Sequence, residues 1–386
     1  MYPLVCLCFG LICAWGLQKL LPVHNTAHIR HPKLHGLLGL LSLVVFLCHA
    51  LTWQIYLAEG EWKLSTSVFY TVVTQSTMVL FLMTASFLLT HKILQNPDQR
   101  IDWIGLGCWQ IVRMLPMYWV AMLVLFGITA LVGLKNPTTP LDTPLQNYGS
   151  WLAFSIPGTP KLHGVEATNV VMAMSTWRFV FEWIFFLSLP FIAFLGGKKP
   201  PIIVLVLAGL GLFWITRQMP FYGIFYGVLA VGAGAAWIAH HGFLKKWACQ
   251  PWIPLVMVLL LGLNIYWNTT AYTAASVVLL GLIFILLVCG NALTALLEHR
   301  VCHVLGLGSY SMYLLHGPLL YMVMKVAARY FPLFYATQWH YWGMVALAVP
   351  VLVVLGLAAY FFIEAPLLRR ANALATCTTS WLKIKS

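Results

Sequence analysis

The sequence predicts an all-α fold: a polytopic transmembrane helical bundle of about eleven spans, ten in one membrane domain behind an extra N-terminal helix. Three observations carry this. Hydrophobic residues make up 61% of the chain and charged residues 8%, against about 25% charged in a soluble domain. Apolar runs of spanning length recur along the chain, separated by polar or turn-rich breaks. No polar stretch approaches domain length. At about 20 residues per spanning helix, the 386 residues hold ten or more spans plus loops.

The elements follow in order. Residues 1–21 have the length of a signal peptide, but no charge precedes the apolar run and no A-x-A site follows it, so a retained first helix is expected. The second span, 36–58, contains LLSLVVFLCHALTW with His49 inside it. A third run covers 68–90. The fourth, 113–134, opens at Arg113 in RMLPMYW. The break 135–174 holds NPTTP and SIPGTP and reads as an ordered external loop that covers a site. STWRFVFEWIFFLSLP begins the fifth span, 175–195. Apolar runs at 201–217, 221–240, 252–267 and 272–296 give four more. The tenth, 308–328, begins within LGLGSYSMYLLHGPLL, and the eleventh covers 342–363. The chain divides into 1–35 (first helix and basic loop), 36–370 (membrane domain) and 371–386 (tail).

The net charge is +13. In a soluble protein that would point to nucleic acid. Here Lys and Arg gather at span ends, so they set orientation and contact membrane lipid, and no nucleic-acid partner is expected. With the N-terminus outside, most of the 22 Lys and Arg fall on inner ends, which favours N-out and C-in. The nine cysteines are scattered without a CxxC pair or zinc-like Cys/His spacing, so no metal is expected.

This orientation assigns depths to the buried polar residues. His49 lies about 13 Å below the outer end of its span and Glu182 about 10 Å below the outer end of its own. Intramembrane ionisable groups face a cavity or one another. A His49–Glu182 pair would orient the imidazole as a general base. Two plainer readings stay open. His49 is a packed histidine bonded to a backbone carbonyl, or Glu182 pairs with Arg178 four residues away on its own helix. On the inner side, HIRHPKLH (28–35) supplies Arg30, Lys33 and His35 beneath His49, and Arg113 opens the fourth span. These cations would suit a polyphosphate anion, or simply set topology. Ser309, Tyr313 and His316 stand at i, i+4, i+7 on one helix face, lining either a cavity or a helix–helix seam.

Six stretches together resemble the acyltransferase-3 family of integral-membrane acyltransferases. They are HGLLGLLSLVVFLCHA (35–50), MTASFLLTHKI (83–93), IVRMLPMYWVAML (111–123), TWRFVFEWIFFLSLP (176–190), LGLGSYSMYLLHGPLL (305–320) and FFIEAPLLRR (361–370). The resemblance covers roughly 35–370. This chain departs from the family at Leu38 and Gln110, where arginines are usual, and at Arg178, where a serine is common.

The resemblance implies an O-acyltransferase of the bacterial cytoplasmic membrane. Acetyl-CoA would be the cytosolic acyl donor, and a cell-surface or lipid-linked polysaccharide, such as lipopolysaccharide, the acceptor. Arg113 with Arg30, Lys33 and His35 would meet the donor's phosphates. His49, oriented by Glu182, would be the catalytic base or be acylated transiently. Tyr118, Tyr313 and Ser309 would be candidate oxyanion donors, with Arg178 and His316 lining the cavity. A non-catalytic family relative and a glycan or lipid transporter are the alternatives, and the latter favours an internal repeat, which the sequence does not show.

Overall fold

The computed structural model describes residues 2–19, 31–95, 101–134, 143–218, 222–290, 293–330 and 337–370. Eleven long helices stand among the described residues, near the predicted positions. They are α1 (Tyr2–Leu17), α2 (Pro32–Glu59), α3 (Val68–Leu94), α4 (Trp103–Gly133), α5 (Trp177–Leu195), α6 (Ile202–Gln218), α7 (Gly223–His241), α8 (Ile253–Trp267), α9 (Ala274–Cys289), α10 (Ser309–Tyr330) and α11 (Gln338–Ala359). Six of them, α2, α3, α4, α5, α7 and α11, are long and apolar enough to cross a membrane, and α1, α6, α8 and α9 are shorter apolar helices. Leu255, Val258, Leu259 and Tyr266 of α8 are exposed, as expected of a face turned to lipid. The chain is an integral, multi-pass helical bundle.

Local chemistry sets the helix limits. Pro32 stands in the first turn of α2, where its missing N–H costs nothing. Gly60 ends α2 in the left-handed conformation (φ 75°), its N–H donating to the Tyr56 carbonyl at 2.9 Å. At 28 residues, α2 is about 42 Å long, more than the bilayer core requires, and its lower end packs on two short helices, Thr294–Leu297 and Arg300–Leu307. The α4 boundary corrects the sequence reading. Asp102 caps the helix, accepting from the Gly105 N–H at 2.8 Å, so α4 starts ten residues before Arg113. Arg113 is therefore about 15 Å inside the helix rather than at its mouth.

Glycines bring the helices close. A Cβ on Gly232 of α7 would lie 2.1 Å from Ser86 Oγ and 2.3 Å from the Met83 carbonyl of α3. A Cβ on Gly36 of α2 would lie 1.9 Å from the Leu297 carbonyl. Such small-residue contacts let backbones touch in lipid, where packing rather than the hydrophobic effect joins helices.

The segment before α5 folds into the bundle. It carries two short helices, Leu145–Leu152 and Thr168–Val171, with Trp151 fully buried and its indole N–H bonded to the Pro160 carbonyl at 2.9 Å. His163 fastens it to α4: its Nδ1 lies 3.0 Å from Thr129 Oγ1, and its Nε2 lies 2.8 Å from Tyr148 Oη. Met172 and Ala173 press on Gly317 of α10, where a Cβ would meet their backbone at 2.6 and 2.8 Å. This segment lies over α10 next to His316, packed into the bundle rather than standing as an external loop. Residues 135–142 of the predicted loop lie outside the described residues.

Replacing Gly232 by alanine is expected to lower the melting temperature of the detergent-solubilised protein, at a cost of about 1–3 kcal/mol. Gly234→Ala, on the same helix with nothing within 4 Å of a new Cβ, is expected to leave it unchanged or slightly raised. Circular dichroism melts of both variants check the pair.

Candidate active site

Two helices running in the same direction create the centre of the bundle. Ser42 Oγ of α2 donates to the Ser309 carbonyl of α10 at 2.9 Å. Two turns further along both helices, His49 meets His316, with Nδ1 of the first 3.2 Å from Nε2 of the second. The rings are 4.9 Å apart between centroids. His316 is fully buried, whereas His49 is partly exposed.

Hydrogen-bond accounting assigns the tautomers. His316 Nδ1 lies 2.5 Å from the Tyr313 carbonyl, which can only accept, so that nitrogen carries the proton. Its Nε2 is then a bare acceptor. His49 Nδ1 lies 3.0 Å from the Val45 carbonyl as well as near His316 Nε2, so it carries a proton shared between two acceptors. The His49 Nε2 lone pair is left free, on the partly exposed side chain. The packed-histidine reading is thus what the structure has, and the same carbonyl bond fixes the tautomer and orientation of the ring.

The expected His49–Glu182 pair does not form. Glu182 instead forms an ion pair with Arg113, and its side chain is buried. The reason is the covering segment. Tyr313 Oη donates to the Ser175 carbonyl at 2.8 Å, so α5 begins deep in the bundle, beside α10 one turn below His316. Glu182 lies seven residues further along the oppositely running α5, about 10 Å towards the inner side. His316 takes the place assigned to the carboxylate.

The other candidates are placed as follows. Arg113 also lies 5.2 Å from the Trp109 ring, over which Lys92 sits at 3.8 Å. Lys33 Nζ donates to the Gly290 carbonyl. His35 stacks on His303 at 5.9 Å and packs against Gly306. Both bind α2 to the inner helices instead of standing open at a mouth. Arg30 lies outside the described residues. Tyr118 Oη donates to the Trp151 carbonyl at 2.8 Å, and Tyr313 spends its hydroxyl on Ser175, so neither is a free oxyanion donor. Ser309 takes part through its carbonyl, and the Ser309, Tyr313, His316 stripe faces inward as its spacing requires. Arg178 is buried against the Phe81, Phe179 and Tyr313 rings rather than paired with Glu182.

Three features were not singled out from sequence. On the outer side of His49 stand Trp53 and Tyr56, at i+4 and i+7, with Trp62 folded back by the Gly60 turn. Trp62 lies nearly parallel to His49 (18°, 6.3 Å) and edge-on to Trp53 (5.6 Å), which also meets Tyr321 (5.8 Å). The Trp53 indole N–H is buried without a partner. The 49, 53, 56 spacing could have revealed this wall. Glu364, quoted above only within FFIEAPLLRR and given no role there, is the second. It ends a π turn over Tyr360–Glu364 that continues α11, and it accepts from Ser311 Oγ. The third is the Lys92–Trp109 contact.

A family profile described as an acyltransferase domain, acyltransferase 3, matches residues 31–361. No curated protein and no solved structure matches the chain. With that profile covering most of a chain that folds as a helical membrane bundle, the protein belongs to the acyltransferase-3 family of membrane acyltransferases.

Proposed function

We propose that this protein transfers an acetyl group from cytosolic acetyl-CoA to a hydroxyl of a cell-surface or lipid-linked polysaccharide, acting in a bacterial cytoplasmic membrane. The observation that carries the reading is the free Nε2 lone pair of His49, held in one tautomer by Val45 and His316 inside a bundle of this family. A base fixed in this way, on a side chain that is not fully buried, is suited to take a proton from a hydroxyl.

The step balances as follows. His49 Nε2 removes the acceptor hydroxyl proton as its oxygen attacks the thioester carbonyl carbon. The carbonyl electron pair moves to oxygen, returns as the C–S bond breaks, and the coenzyme thiolate leaves with the proton that His49 took. While His49 is cationic, its Nδ1–H still faces the bare Nε2 of His316, which spreads the charge. His316 is in this reading the positioning residue and Glu182 is not.

Two further features support the direction of entry. Trp53, Tyr56, Trp62 and Tyr321 form a wall on the outer side of His49. Rings of this kind present an apolar face with a polar edge, which suits the C–H face of a sugar. On the inner side, Lys92 and Arg113 gather over Trp109, where the donor's phosphates would meet positive charge. In this reading Lys92 replaces Lys33 and His35 as the phosphate contact beside Arg113.

His49→Ala is expected to reduce acyl transfer by about 10²- to 10⁴-fold while the protein still inserts. Mass spectrometry of surface polysaccharide from cells carrying either form should show acetyl-sized additions only with the intact histidine. Equal acetylation by both forms would refute the proposed base, and glycan export without any acyl change would favour a transporter.

His316→Phe keeps ring volume but removes the acceptor of the His49 proton. Transfer should fall by a smaller factor, on the order of tenfold or more, and the pH–rate profile should move because the cationic form of His49 loses its neighbour. Initial rates between about pH 4.5 and 8.5 in membrane vesicles, about two units either side of a free imidazole, measure this. An unchanged profile would count against the pairing.

A further inference from the structure

Arg178 is the buried charge for which the ion pairs found leave no account. It is 5% exposed. Its guanidinium carbon lies 4.1 Å from the Tyr313 ring centroid, 4.7 Å from Phe179 and 4.9 Å from Phe81. Its Nε is enclosed and has no hydrogen-bond partner. Glu182, one turn along the same helix, is taken by Arg113, and Glu364 is bonded to Ser311. Among the described residues no carboxylate forms an ion pair with Arg178.

A guanidinium removed from water without a counter-charge is costly, and ring faces offset only part of that cost. Within a membrane domain such a group pairs with another charge or a backbone carbonyl, or marks a substrate path, and the substrate group that suits a guanidinium is an anionic oxygen. Arg178 sits against Tyr313, whose ring is 5.6 Å from His316, and His316 touches His49. It is therefore on the inner side of the imidazole pair, the side from which a cytosolic thioester would come. The neutral donors near the site, Tyr118 and Tyr313, have their hydroxyls committed to Trp151 and Ser175.

The geometry points to Arg178 as a catalytic residue that holds the oxyanion of the tetrahedral intermediate. This rests on the acyl-transfer reading above. As the acceptor oxygen bonds to the carbonyl carbon, the C=O electron pair moves onto the oxygen facing the guanidinium. It returns when the C–S bond breaks. The developing anion gives Arg178 the counter-charge it otherwise lacks, so the attraction is strongest at the intermediate, as catalysis requires. A carboxylate or phosphate borne by the acceptor is the other source of an anionic oxygen, and the acceptor charge separates the two.

The test uses the full chain in membrane vesicles with acetyl-CoA and two acceptor oligosaccharides, one neutral and one carrying a uronate. Arg178→Met keeps the length and packs against the same rings without charge. The expected result is a fall in kcat of about 10²- to 10³-fold with both acceptors, little change in KM, and a melting temperature unchanged or raised. Arg178→Lys should recover part of the rate. Arg178→Gln reads the same quantity if the methionine variant fails to insert. Wild-type kcat in the neutral variant would overturn the inference, and so would a loss confined to the uronate acceptor or seen in KM alone. Wild-type protein that transfers nothing to either acceptor would instead refute the acyl-transfer reading on which the inference stands.

Discussion

The contact between His49 and His316 depends on α2 and α10 running in the same direction in matched register. Ser42 with Ser309, then His49 with His316, are the same two-turn step taken on both helices. One residue of slip on either would turn an imidazole by about 100° and break the pair. Much of the inner half of the bundle serves that register. Gly36 and Gly39 bring α2 onto Leu297 and Gly306 with no room for a side chain, and Gly308 meets Gly356 of α11. The Gly60 turn then folds Trp62 back over the histidine that the register has placed.

Charge is arranged along the same axis. Arg113 with Glu182, Glu364 with Ser311, and Arg178 among its aromatic rings occupy the space inward of the imidazoles. Water-exposed pairs of this kind contribute little. In a bilayer the comparison is with an unpaired charge in hydrocarbon, so breaking the Arg113–Glu182 pair by deleting one partner would strand the other. That pair helps set the depth of α4 and α5. A chain that needed only stability could fill these positions with apolar side chains of similar volume.

The fold was largely legible in the sequence. Runs of apolar residues fixed the helices, because lipid accepts little else. The error at α4 came from treating Arg113 as a membrane boundary. A single arginine can be drawn inside a span by a carboxylate on another helix, and WIGLGCWQIV before it was apolar enough to extend the helix to Asp102. The residues of the candidate site could be named from sequence, but not their partners. His49, His316, Glu182, Arg113 and Arg178 could all be singled out. Which carboxylate or imidazole faced His49 depended on where α5 begins, and that was hidden in a covering segment whose path no local pattern gives.

That segment also links the fold to the chemistry. Phe154, Ser155, Ala173 and Met174 all adopt positive φ, between 50° and 59°, a conformation that costs a side-chain-bearing residue energy. They hold it because the segment is fastened on every side: Trp151 to Pro160, His163 to Thr129 and Tyr148, Tyr118 to the Trp151 carbonyl, and Tyr313 to the Ser175 carbonyl. Two of these bonds use the hydroxyls that sequence alone would assign to the oxyanion. Using them to seat the cover lowers the start of α5, which carries Glu182 past His49 to Arg113 and leaves Arg178 beside Tyr313 without a carboxylate. The strained cover and the uncompensated guanidinium therefore share one cause: the depth at which α5 enters the bundle.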